Sequence, residues 1–217
     1  MRKSYKNRDI VENTMKISSI KTRFSSITGF TLIGVYITFV MLSLGLYPTA
    51  YSPMENWLSD LGNWRFNPKG ALFYNLGCIL TAIFEVLYMA GLSAWDLAKK
   101  WQKILLRIGQ TSGFISAFCL FMGGIYSEDF WITHMILSEI HVIALGFFAT
   151  FVSAALIIDP RFWRPVGVVG FVFATLDMIF GVDPKIPIMD SLAIFGTIAF
   201  VGLVATNMAS FKRKNEI

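Results

Sequence analysis

Six continuous apolar stretches, at roughly 27–47, 71–94, 104–126, 132–158, 165–182 and 187–209, dominate this chain of 217 residues. Each matches the run of about 20 residues that carries a helix across a bilayer core about 30 Å thick. Continuous runs of this length are unlike the alternating segments of about ten residues that build a membrane barrel. The pattern predicts an all-α polytopic membrane bundle of six transmembrane helices at about 27–210. A basic N-terminal segment, 1–26, precedes the bundle and a basic tail, 211–217, follows it. A composition 55% hydrophobic and 15% charged agrees with that class and leaves no room for a separate soluble domain.

Lys and Arg are held on the cytoplasmic side near the ends of spans, so their placement predicts topology. Sixteen of the nineteen fall in the N-terminal segment, the second and fourth connections and the tail. Arg65, Lys69 and Lys185 fall on the opposite side, which also carries Glu55, Asp60, Glu128, Asp129, Asp183 and Asp190. Both termini are therefore expected in the cytoplasm of a multi-pass cell-membrane protein, and the acids on the outer face. Trp57, Trp64 and Trp131 mark outer span ends, and Trp95, Trp101 and Trp163 inner ones, as interfacial rings do. The net charge of +5 is then a product of topology and of attraction to anionic lipid, and nucleic acid is not an expected partner. Seven basic residues precede an apolar run too long for a signal peptide, which reads as an uncleaved first helix although Pro48-Thr49-Ala50 imitates a cleavage site. Cys78 and Cys119 both fall inside spans at a similar depth. Two buried thiols and a bridge between helices two and three are both open.

Most connections are short, so adjacent helices should be antiparallel neighbours. The exception is the first outer connection, Pro48 to Gly70, whose aromatic rings argue against disorder. The sequence predicts an interfacial helix there over about 54–61, with Ser52 as N-cap and Pro53 at its first position. Turns are expected at Gly62-Asn63 and Asn67-Pro68, and the segment should lie across the outer mouth of the bundle. The run Ser59-Asp60-Leu61-Gly62, followed by Asn67-Pro68, Gly70, Phe73, Tyr74, Asn75 and Gly77, resembles the prokaryotic six-helix membrane proteins of domain-of-unknown-function family 998. It is also similar to the first outer loop of the eukaryotic DRAM-like family. The resemblance implies six helices with a conspicuous first outer loop and makes Ser59 and Asp60 signature positions. It implies no reaction.

Ionisable groups inside spans are costly and are default candidates for function. His134, Ser138 and His141 follow a four-then-three spacing that places them on one stripe of helix four. Asp177 joins them from helix five, and Ser59 and Asp60 from the loop, as candidates for one pocket. His134 and His141 stand about 10 Å apart along the helix axis, too far to share a metal. A zinc site would need His134 with Asp60 and either Asp183 or Asp190. Glu139 is turned about 100° from the histidine stripe toward a different neighbour, and Glu85 lies deeper, as a structural carboxyl or part of a proton path. Gly109-Gln110-Thr111-Ser112-Gly113 has the small-residue spacing that lets helices approach closely. The sequence lacks His-Glu-x-x-His, Gly-x-Ser-x-Gly, phosphate-binding Gly-rich loops and Cys-x-x-Cys.

Three functional readings follow. The first is an outward-facing polar pocket that binds a lipid headgroup or small amphiphile beneath the first loop. The second uses the same pocket for metal-dependent lipid hydrolysis or transfer. The third is a structural subunit, in a homo-oligomer or membrane complex, whose polar residues only hold helices together.

Overall fold

The computed structural model describes residues 2–95, 97–182 and 186–214, with side chains for all of these except 2–21, 180–182 and 211–214. The chain is all-α. Its helices are α1 (Arg2–Leu44), α2 (Ala71–Gly91), α3 (Lys100–Ile125), α4 (Trp131–Leu156), α5 (Arg164–Val182) and α6 (Pro187–Lys214). Among the described residues five helical segments are long and apolar enough to cross a membrane: Thr22–Gly45, Ala71–Ala94, Lys100–Ile125, Glu128–Leu156 and Pro187–Ser210.

Helix α1 runs back to Arg2, far ahead of its apolar stretch, because no Gly or Pro occurs before Gly29 to interrupt it. It ends at Leu44, followed by Gly45 and then Pro48, where the backbone tightens through Leu46 N–H to Ser43 O (3.1 Å) and Tyr47 N–H to Leu44 O (3.2 Å). The expected interfacial helix over 54–61 does not form. Ser52 does accept from Glu55 N–H (3.0 Å) and Asn56 N–H (2.8 Å), but Trp57 is extended (φ −68°, ψ 151°) and breaks the turn. A 3₁₀ helix, Leu58–Gly62, follows it.

Each helix packs on the next in chain order, and α6 returns to α1, closing a ring. Gly109 faces Val152 of α4 and Gly113 faces Met89 of α2 with no room for a Cβ, so the paired glycines draw α3 against both neighbours. The end of the bundle that carries Leu58–Gly62 is called the loop end here, and the opposite one the basic end. Two cores divide the interior. At the basic end Tyr88, Phe148 and Phe200, none of them exposed, meet edge to face across α2, α4 and α6, with centroids 6.5 and 5.9 Å apart. At the loop end Tyr36, Val40, Leu58, Leu61, Tyr74 and Cys78 pack together. The outside of the helices is apolar as well, with Ile83, Phe118 and Val172 exposed, as expected of a surface solvated by hydrocarbon.

Candidate functional site: a cavity under a locked loop

Between the two cores lies a cavity of about 330 Å³. It is lined by α1, α2, α3, α4, α6, residues Trp57–Ser59 of the loop and Glu128, while no described side chain of α5 lines it. From Tyr74 to Met89 on α2 it extends about 20 Å along the helix axis. The volume is at the lower end of small-molecule sites, and the shape is long and narrow. Most of the wall is apolar, including Leu32, Leu120, Val142, Leu145, Ile194 and Val201.

The loop roofs this cavity, and polar residues at its ends hold it in place. Asn67, fully buried, sits where the end of α1, the end of the 3₁₀ helix and the start of α2 converge. Its Nδ2 donates to Ser43 Oγ (2.9 Å), Ser43 O (3.2 Å) and Leu61 O (2.9 Å), and its Oδ1 accepts from Gly70 N–H (3.1 Å). Ser43 Oγ reinforces the junction by donating to Leu61 O (3.0 Å), and Asn75 Nδ2 donates to Gly62 O (2.9 Å). Gly62 and Gly70 are required by close approach. A Cβ on Gly62 would strike Asn75 and Tyr74, and one on Gly70 would strike Asn67 and Ser43.

Carboxylates complete the lock. Asp60 Oδ2 accepts from Trp57 N–H (3.0 Å), Asp190 of α6 from Leu58 N–H (3.3 Å), Glu128 from Asn63 Nδ2 (3.3 Å) and Asp129 from Trp64 N–H (3.0 Å). Backbone donors left over by an irregular loop are thus matched to acids from three segments. Beside this roof, burial raises the Tyr51 hydroxyl well above its ordinary range, with the nearby Asp190 and Asp60 carboxyls adding to the effect. Tyr51 therefore stays protonated and donates to Trp57 O (3.2 Å).

The expected pocket residues divide into two groups. Ser59, His134, Ser138 and His141 line the cavity, as do Glu139, Asp190 and Glu85. Asp60 is buried behind the lining, with its carboxylate occupied by its own turn. Asp177, also fully buried, accepts from Thr197 Oγ1 (2.7 Å), and it is Thr197 that reaches the cavity. Asp183 lies outside the described residues. Among the described residues no group of three or more His, Cys, Asp or Glu is arranged to hold a metal ion. Cys78 and Cys119 are buried free thiols, not a bridge. Glu139 makes no hydrogen bond with the described residues, so the partner expected on an adjoining helix is not found there.

The deepest polar feature is a chain through three helices. Ser116 of α3, fully buried, donates its hydroxyl to Glu85 Oε1 of α2 (2.7 Å) and lies 2.9 Å from His141 Nδ1 of α4. His141 Nδ1 also lies 3.1 Å from Ser116 O, and a carbonyl only accepts, so Nδ1 carries the proton. His141 Nε2 is left as an acceptor without a partner, on a residue that lines the cavity. His134 repeats the arrangement near the mouth: Nδ1 donates to Tyr126 O (2.9 Å) and Nε2 is unpartnered.

Ser116 was not among the sequence-derived candidates, nor was the link it makes between Glu85 and His141. One signal pointed there. Tyr74, Cys78, Thr81 and Glu85 follow four-, three- and four-residue steps, a polar stripe on α2 like that of His134, Ser138 and His141 on α4, and the two stripes line the same cavity. No family model, curated protein or solved structure matches the chain.

Proposed function

We propose that this chain is a six-span protein of the cell membrane, with both termini cytoplasmic, whose cavity opens toward the extracytoplasmic face and binds a small amphiphile or the head region of a lipid. The sixth span is α5, whose 19 residues reach about 28 Å. The orientation rests on the concentration of Lys and Arg at the basic end. Membership of domain-of-unknown-function family 998 is proposed on the Ser59–Gly62 and Asn67–Gly77 pattern alone.

The observation that carries the functional reading is a long, apolar-walled cavity of about 330 Å³ with unpaired polar acceptors at its floor and a hydrogen-bonded loop as its roof. A purely structural role gives no account of acceptor atoms that three helices turn into a shared cavity, because polar groups that only join helices pair with one another. The test is lipid extraction and mass spectrometry of the purified chain, beside a Ser138→Trp variant that fills the cavity. Retained amphiphile close to one per chain, lost in the filled variant while its melting temperature holds, is the expected result. Equal retention by both proteins overturns the reading. Membrane-impermeant maleimide should label Asn56→Cys in intact cells and Lys100→Cys only after lysis.

A further inference from the structure

Among the described residues, the acidic and basic side chains that line the cavity are of one kind. Its lining includes Glu85, Glu128, Glu139 and Asp190 but, among the described residues, no Lys and no Arg. At the floor, Glu85 is 4% exposed and His141 8% exposed. Only one carboxyl oxygen of Glu85 is used within the protein, by the Ser116 hydroxyl, and no Lys or Arg pairs with it among the described residues. His141 spends its Nδ1 proton on Ser116 and turns an acceptor nitrogen to the cavity. Two side chains more than nine-tenths buried therefore turn acceptor atoms toward an occupant. A phosphate or carboxylate head needs donors, which Arg and Lys commonly supply. An ammonium carries three donors and no acceptor.

We propose that the occupant is a cationic amphiphile, a protonated primary amine on an apolar body, with its N–H groups received by Glu85 and His141 Nε2 and its apolar part held along the α4–α6 wall. This rests on the amphiphile reading above and narrows it from any lipid head to amines.

The experiment uses the full chain in phosphatidylcholine nanodiscs and three probes with the same tail: dodecylamine, dodecanol and dodecanoate. Binding is measured by equilibrium partition of radiolabelled probe, with the Ser138→Trp variant as background. Dodecylamine should bind saturably at about one per chain and at least tenfold more tightly than either companion. Glu85→Gln keeps an oxygen for the Ser116 hydroxyl, and His141→Gln keeps a donor for Ser116. Each should weaken dodecylamine at least tenfold while leaving dodecanol unchanged. If the three probes bind alike, or if dodecanoate binds best, the amine assignment is overturned and the amphiphile reading stands. If none binds above background, the amphiphile reading itself fails. Should Glu85→Gln not fold, the three-probe comparison on the unaltered chain decides the matter alone.

Discussion

Replacing Asn67 by Ala tests whether the loop is a fastened roof. The substitution removes the two Nδ2 hydrogens, which are shared among Ser43 Oγ, Ser43 O and Leu61 O, and one acceptor bond at Oδ1. It leaves few orphans. Leu61 O still receives Ser43 Oγ (3.0 Å), Gly70 N–H still reaches Asn67 O (3.1 Å), and Ser43 O still receives Leu46 N–H (3.1 Å). The loss is therefore the net worth of three hydrogen bonds rather than a set of unsatisfied buried groups, or about 2–3 kcal/mol. If it acts locally, the open population of the loop rises roughly 30- to 150-fold, at tenfold per about 1.4 kcal/mol. Hydrogen exchange read by mass spectrometry on a peptide covering 54–66 measures this directly. Its reporting amides include Trp57, Leu58, Asn63 and Trp64, all hydrogen-bonded in the closed loop. A peptide covering 86–92, in the aromatic core at the basic end, should keep its protection. Acceleration below about threefold in 54–66, or equal acceleration in both peptides, would refute the lock.

Three further substitutions probe separate elements. Gly70→Ala should destabilise by about 1–3 kcal/mol because its Cβ meets Asn67 and Ser43, whereas Gly34→Ala, with nothing within 4 Å, should be neutral or gain up to about 1 kcal/mol; thermal unfolding in one detergent compares them. His141→Leu should cost about 1–2 kcal/mol and His141→Gln less than half of that, since Gln restores a donor to Ser116; melting curves of the two variants decide. Burial pushes the Asp159 carboxyl up, but hydrogen bonds from the Arg161 side chain and backbone outweigh it and hold the group below its ordinary range. A lowered folded pKa gives stability that is complete above the unfolded value of about 4 and is lost as pH falls through the folded one. Asp159→Asn should therefore cost at most about 1 kcal/mol at neutral pH, because Arg161 is 44% exposed, and the gap to the unaltered chain should close below about pH 4.

The helices were legible because span length is a one-dimensional property: twenty apolar residues in a row have few other uses. Helix α1 exceeded its apolar stretch because polar residues free of Gly and Pro also sustain a helix. The expected loop helix failed on tertiary grounds. The Ser52 cap and Pro53 are present, but Leu58 and Leu61 are drawn into the loop-end core, and the 3₁₀ helix accommodates that with Trp57 extended. In the site, the helix-four stripe could be read from spacing. The chain Glu85–Ser116–His141 could not, because it joins three helices whose relative rotation no local pattern encodes. Asp60 looked like a binding group by residue type. Its occupation by Trp57 N–H, a bond three residues back along the chain, is decided by the backbone of the turn.

The aromatic trio at the basic end has a mechanical corollary. Tyr88, Phe148 and Phe200 fix α2, α4 and α6 at one level, whereas nearer the loop α4 carries Trp131, Ile132, Ile136 and Ile140 with large exposed surfaces. Phe148 then acts as a fulcrum and α4 as a lever about 25 Å long from Phe148 to Trp131. A tilt of about 5° shifts Trp131 by about 2 Å while side chains beside the pivot barely move. Such a tilt widens the rim while dimensions at the bottom stay constant.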